Sequence, residues 1–147
     1  MMQRNKPWDS YRKVATQTAT PGHLVLMLYD GAIGFLEKAL AGFGYEDPQL
    51  FNQTINNNIV RAQAIIHEMN ASLNMQAGGE VASNFRRLYN YLYRRLSAAN
   101  RSKEKAPLEE SISHLRVLRN SWAEMLRNGG EAHHAVTALQ GIEAAAV

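Results

Sequence analysis

The chain has 147 residues, of which 46% are hydrophobic, so it is long and apolar enough for one domain with a core, and general disorder is excluded. It has no cysteine, which excludes disulfides, thiolate metal sites and cysteine nucleophiles and fits a reducing compartment. The formal net charge of +3 permits weak attraction to anionic partners without naming one. The first eight residues lack the apolar region of a signal peptide, so we expect a cytoplasmic, cytosolic protein.

The N-terminal segment, residues 1–19, is mostly polar but contains three apolar or aromatic residues at a spacing of three. These are Trp8, Tyr11 and Val14. One helical turn would set them on the same side of the chain.

The first predicted helix begins at Thr20, a good N-cap, followed by Pro21 at the first helical position. It carries two apolar stripes with helical spacing. The first stripe is Leu24, Leu28, Ala32, Phe35 and Ala39, and the second is Leu26, Tyr29, Ile33, Leu36 and Leu40. Since a surface helix needs only one such stripe, this helix is either central in its domain or leaves one face for something else to cover. The charged residues inside the helix argue against membrane insertion.

The glycines of this helix have two predicted roles. Gly42 and Gly44 suit a C-terminal cap. Gly31 and Gly34 lie inside the helix, where close approach by a neighbouring backbone would explain their presence.

Three further amphipathic helices follow. The second begins at Asp47-Pro48, and the third follows a break at Gly78-Gly79 and ends near Asn100. A charged linker, residues 101–106, leads to Pro107 and the fourth helix, which stops at residues 128–130. The expected fold is therefore all-α, an antiparallel four-helix bundle over residues 20–128. Residues 1–19 form an N-terminal segment, and residues 129–147 form a mobile tail or a short docked helix.

Sequence motifs for catalysis are missing. A di-iron bundle would need Glu-x-x-His pairs, and the nearest approach, Glu110 with His114, is a typical solvated contact. His133 and His134 are adjacent and would point different ways on a helix, and no phosphate-cradling glycine motif occurs. We therefore expect no enzyme, no cofactor and no metal site.

The third helix combines basic and aromatic residues. They are Arg86, Arg87, Arg94 and Arg95 with Tyr89, Tyr91 and Tyr93. Such a mixture is compatible with a basic helical nucleic-acid-binding module. On a helical wheel, however, Arg86, Arg87 and Arg94 point away from the apolar face. A solvated basic face with tyrosines at the core margin is therefore favoured, and we expect no nucleic acid.

Several blocks resemble one family, the flagellar secretion chaperones called FliS. The matching residues are Tyr11 and the stretches 18–21, 24–32, 61–70, 72–73, 88–96, 99–100 and 118–122. Their order and spacing make the resemblance specific. Asn90 stands where an acidic residue is common in the family, and the chain beyond Gly130 matches nothing in it.

The resemblance implies a bundle that binds the C-terminal segment of flagellin, prevents its premature polymerisation and helps deliver it to the flagellar type III export apparatus. It also implies that the N-terminal segment covers the binding surface when no client is present, and that some members bind an anti-sigma factor or another flagellar regulator. The sequence is compatible with a monomer or a homodimer. A third alternative is a structural bundle without a client, which only dimerises through the second stripe of the first helix. The expected flagellin-binding or cap residues are Trp8, Tyr11, Val14, Leu26, Tyr29, Ile33, Leu40, Tyr89 and Tyr93.

Overall fold

A computed structural model describes residues 20–128 of the chain. Over this range the chain forms four α-helices, with no β-strand. They are α1 (Pro21–Gly42), α2 (Pro48–Ala71), α3 (Met75–Ser102) and α4 (Lys105–Arg127). The predicted all-α four-helix architecture is confirmed. The predictions for Trp8, Tyr11 and Val14, and for a tail over residues 129–147, lie outside the described residues.

The helices pack as a ring in chain order, with α1 also contacting α4. Contacts between helix ends show that neighbours are antiparallel. Gly42 at the end of α1 lies against Thr54 near the start of α2. Arg86, in the first half of α3, donates to the carbonyl of Asn70 at the end of α2 at 3.1 Å. Trp122, near the end of α4, donates to the carbonyl of Gly22 at the start of α1 at 2.6 Å.

The first two helices begin where the sequence predicts. The Thr20 hydroxyl accepts from the backbone N–H of His23 at 3.3 Å, and the Asp47 carboxylate accepts from the N–H of Gln49 at 2.8 Å. Each cap satisfies an amide that the first turn would otherwise leave without a partner.

The predicted break at Gly78-Gly79 is present as non-helical geometry at Gly79, but one helical turn, starting at Met75, precedes it. Asn74 caps α3 before Met75, by accepting from the N–H groups of Gln76 and Ala77 at 3.0 Å. The chain bends at Gly79, whose φ of 56° and ψ of −132° suit only glycine, and then continues as helix. The glycine pair therefore kinks α3 near its start instead of preceding it.

Two other boundary predictions also need correction. Gly42 and Gly44 do not form a left-handed cap, since α1 ends at Gly42 and its C-cap, Phe43, has right-handed φ and ψ of −65° and −17°. The charged linker shortens to Lys103 and Glu104, because α3 runs to Ser102 and α4 begins at Lys105. Pro107 then lies in the first turn of α4, where its missing N–H leaves no helical hydrogen bond unmade.

Both stripes of α1 contribute to the core. Ala32, Phe35 and Ala39 of the first stripe are buried, and so are Tyr29, Ile33 and Leu36 of the second. Over its middle, α1 is therefore a central helix, packed between α2 and α4. The interiors of the other helices complete the core with Ile55, Ile59, Ile65, Ile66, Leu92, Leu96, Leu108 and Leu115.

Gly34 and Gly42 distinguish two reasons for glycine in a helix. A Cβ on Gly42 would lie 2.9 Å from Thr54 Cγ2 and 3.2 Å from Ile55 Cγ1, so α1 and α2 approach closely there. A Cβ on Gly34 would meet nothing within 4 Å. Close approach by a neighbour is therefore the wrong explanation for Gly34.

We expect Gly42→Ala to lower the free energy of unfolding by about 1–2 kcal/mol, because overpacking outweighs the better helix propensity of alanine. The matched variant, Gly34→Ala, should raise it by up to about 1 kcal/mol, since it gains propensity without a clash. Urea unfolding of both variants measures the difference. Equal changes in the two variants would contradict the close approach at Gly42.

Candidate binding surface

The start of α1 has a run of partly open apolar side chains. Residues 24–28, Leu-Val-Leu-Met-Leu, are all half-buried. Five successive residues of a helix turn through more than a full circle, so they cannot all face one core. Both sides of α1 are therefore partly accessible at this end of the bundle, in contrast to the middle of the helix.

A depression of about 490 Å³ lies between the start of α1 and the end of α4. Its apolar lining comes from Leu26, Ala123 and Leu126. Its polar lining comes from His23, Arg119, Asn120, Glu124 and Arg127. We call this surface the α1–α4 depression. Apolar side chains, here called its floor, beside charged ones are typical of a site for an amphipathic segment.

Two contacts hold the helices that flank the depression. The indole N–H of Trp122 donates to the carbonyl of Gly22, and the Arg119 guanidinium donates to the Asp30 carboxylate at 2.8 Å. Gly22 permits this approach, since an added Cβ would lie 2.6 Å from Cδ2 of Leu126. The depression is therefore formed by two helix ends in fixed register.

The predicted site residues fall into three environments. Tyr29, Ile33 and Tyr89 are buried, with 2%, 7% and 4% of their surface exposed. Leu26 and Leu40 are half-buried, and Leu26 lines the α1–α4 depression. Tyr93 is exposed. The structure thus does not bring the six described residues together on one open surface, and their contact with a client remains a prediction.

Tyr29 and Tyr89 form a pair that the sequence analysis did not anticipate. Their hydroxyl groups lie 2.8 Å apart in the interior, joining α1 to α3 across the bundle. Burial, followed by the neighbouring Tyr29, raises the pKa of Tyr89 well above its usual value, so its hydroxyl stays neutral. The pair satisfies two polar groups that a core would otherwise leave without hydrogen bonds. No spacing rule connects residues 60 positions apart, so the sequence held no signal for this contact.

A polar cluster joins α3 to α4 around Glu110. Its carboxylate accepts hydrogen bonds from the Tyr91 hydroxyl and from Nη2 of Arg95, the latter at 2.9 Å. His114 lies 3.6 Å from the same carboxylate. The hydrogen bond from Tyr91, followed by that from Arg95, lowers the pKa of Glu110. The Glu110–His114 contact, which the sequence predicts to be a solvated surface contact, is therefore also part of an interhelical network.

Glu110→Gln should reduce stability at neutral pH by more than it does in acid. Because the pKa of Glu110 lies below its ordinary value of 4.5 in the fold, its ionised form stabilises the fold above that pH, and this contribution is lost as the pH falls below it. Urea midpoints of the wild type and the variant should converge as the pH is lowered further below 4.5. The control is Glu109→Gln, an exposed neighbour. A constant gap between Glu110→Gln and wild type across this range would contradict the role of the charge.

The described part of the chain has neither a metal-binding cluster nor a helix that could span a membrane. Among residues 20–128, no cluster of three or more histidine or acidic side chains could hold a metal ion. None of the four helices is both long enough and apolar enough to span a bilayer.

Comparison with known proteins identifies the family. A family model described as Flagellar protein FliS matches residues 4–129, which is most of the chain. This chain belongs to the FliS family. The flagellar secretion chaperone FliS of Bacillus subtilis is 31% identical over 128 residues, covering 87% of this chain and 92% of that protein. Its counterpart in Salmonella typhimurium is 30% identical over 111 residues, covering 76% and 80%.

A third FliS relative is similar over a comparable length. The flagellar secretion chaperone FliS of Campylobacter jejuni is 29% identical over 127 residues, covering 86% of this chain and 96% of that protein. The FliS match includes all four helices and ends just after α4. The resemblance inferred from the sequence blocks is confirmed.

Proposed function

We propose that this protein is a cytosolic flagellar export chaperone that binds the C-terminal segment of flagellin. In this role it prevents premature polymerisation of flagellin and aids its delivery to the flagellar type III export apparatus. The observation that carries the proposal is the FliS family match over residues 4–129, with relatives named as flagellar secretion chaperones. These relatives are named for chaperone work, which supports a binding role without catalysis.

The α1–α4 depression supports this proposal physically. A segment that pairs in a filament is amphipathic, and its apolar side needs cover before export. The half-buried residues 24–28 and the apolar floor offer such cover, while the bundle supplies a preformed frame. We assign Leu26 as the first client contact because it lines the depression. Tyr29, Ile33 and Tyr89 then form the interior support behind it, and Leu40 and Tyr93 lie farther along the bundle.

Co-purification tests the client. The full chain, tagged, is mixed with intact flagellin and with flagellin that lacks its C-terminal segment. We expect retention of intact flagellin only. Equal retention of both proteins would overturn the assignment of the C-terminal segment, and retention of neither would overturn flagellin as the client.

The N-terminal segment is proposed to cover the same surface when no client is bound. Deleting residues 1–14, which include Trp8, Tyr11 and Val14, should expose apolar surface and promote self-association. Light scattering measures the solution mass of the truncated chain against the full chain.

We also expect Tyr11→Ala to weaken flagellin binding, since aromatic residues are the commonest interface anchors. A covering role of residues 1–14 would be refuted if the deletion left the solution mass unchanged and Tyr11→Ala left the affinity for flagellin unchanged.

A further inference from the structure

A straight row of arginines follows the outer side of α3. Arg87, Arg94 and Arg101 recur every seven residues, and all three are exposed. Seven residues return an α-helix almost to the same angle, so these side chains point one way at intervals of about 10.5 Å along the axis. We call this surface the arginine row. It lies on a different helix from the two that form the α1–α4 depression.

The row differs from the arginines between the helices, which have partners. Arg95 binds Glu110, Arg116 binds Glu37, and Arg119 binds Asp30, with N–O distances of 2.8–2.9 Å. In the row, Arg87 donates only to the neutral amide of Asn84. Within residues 20–128, neither the Arg94 nor the Arg101 side chain makes a hydrogen bond or an ion pair. Arg61 and Arg127 also lack an ion pair within residues 20–128, but they lie on other helices. Three arginines without carboxylate partners on one face of α3 therefore give the row a net positive charge.

The two flanks of the row limit the width of any partner. On the α2 side, Asn100 donates to Asn56 at 2.8 Å, and the half-buried Arg86 donates to the carbonyl of Asn70 at 3.1 Å. On the α4 side stands the carboxylate of Glu110, with the exposed ring of Tyr91 held against it. Tyr91 lies between Arg87 and Arg94 on the helix surface. The amides on one side and Glu110 on the other therefore flank the row.

We propose that the arginine row binds an acidic α-helix of a partner protein, with carboxylates on every seventh residue. Such a helix presents its charges at the same interval of about 10.5 Å as the row. The arginine guanidinium suits a carboxylate because it can donate two parallel hydrogen bonds. Tyr91 adds an aromatic contact of the type that anchors interfaces. A nucleic acid or a lipid surface spreads its negative charge broadly and would meet the carboxylate of Glu110 beside the row.

The test titrates the full chain with synthetic helices and follows arginine Nε–Hε signals by NMR. One alanine-based peptide has glutamate at every seventh position, and the control peptide has the same composition with glutamates spread around the helix. We expect the first peptide to bind about tenfold more tightly, to shift the signals of Arg87, Arg94 and Arg101, and to weaken with added salt. Equal affinities for the two peptides would overturn the proposal.

Charge-matched variants separate the row from net charge. The triple variant Arg87→Gln, Arg94→Gln, Arg101→Gln should lose about tenfold in affinity for the matched peptide. The control triple variant Arg61→Gln, Arg116→Gln, Arg127→Gln removes as much charge from other exposed positions and should keep it. An equal loss in both variants would overturn the proposal. Tighter binding of a DNA duplex through the same three arginines would also overturn it.

Discussion

Replacing Leu92 by alanine will lower the free energy of unfolding by about 2–5 kcal/mol. Leu92 is completely buried in the middle of α3 and belongs to the continuous core shared by all four helices. Truncation removes apolar contacts and leaves a cavity that rigid helices fill only in part. Urea unfolding followed by circular dichroism measures the loss, which is a large fraction of the stability of a domain this size.

The matched control for Leu92→Ala is Val117→Ala. Val117 lies on α4 and is 65% exposed, the largest exposed fraction among the large apolar residues of the described chain. Its truncation should change the free energy of unfolding by less than about 0.5 kcal/mol. If the Leu92→Ala variant instead kept its stability and lost flagellin binding, the Leu92 face of α3 would contact the client. The assignment of Leu92 to the core would then be wrong.

Replacing Leu26 by aspartate will weaken binding of a flagellin C-terminal fragment by at least about tenfold. Leu26 lies on the apolar floor of the α1–α4 depression, so an apolar client segment seated there would have to desolvate the new carboxylate. Because Leu26 is only half-buried in the free chain, the bundle should remain folded. Calorimetric titration gives the affinity, and thermal unfolding of the same samples reports the fold.

Two further variants separate this effect from added charge. Val117→Asp places the same carboxylate on an exposed apolar residue of α4 that does not line the depression, and it should bind flagellin normally. Leu26→Met keeps an apolar side chain of similar volume and should also bind normally. A folded Leu26→Asp protein with unchanged affinity would place the client on another surface.

The helices could be predicted from the sequence because their signals are local. Thr20-Pro21 and Asp47-Pro48 place a cap and a proline side by side, and the three-and-four spacing of apolar residues extends each helix. The boundaries that failed involve competing signals. The pair Gly78-Gly79 predicts a helix boundary, yet only Gly79 leaves the helical conformation and helix is present on both sides of it. Pro107 is typical of a first helical position, yet α4 begins two residues earlier, at Lys105, and Pro107 is the third residue of its first turn.

The candidate site was less accessible to sequence reasoning because it depends on tertiary register. Both stripes of α1 have the same period, and only the packing of α2 and α4 makes the helix central in its middle and partly open at its start. The sequence suggests Tyr29 and Tyr89 as binding residues, whereas in the fold their hydroxyl groups form a buried hydrogen bond with each other. Gly34 and Gly42 occupy the same helix, and only their surroundings distinguish open space from close approach.

The contact between Trp122 and Gly22 has a consequence for synthesis of the chain. It joins residues 100 positions apart, whereas the other helix pairs are formed by neighbours in sequence. A nascent chain can thus pair α1 with α2 and α2 with α3 while α4 is still unmade, but the α4 side of α1 stays bare until α4 has been synthesised and has left the ribosome. The α1–α4 depression, which is assigned to shielding another protein, is itself the last part of the bundle to be assembled as the chain leaves the ribosome.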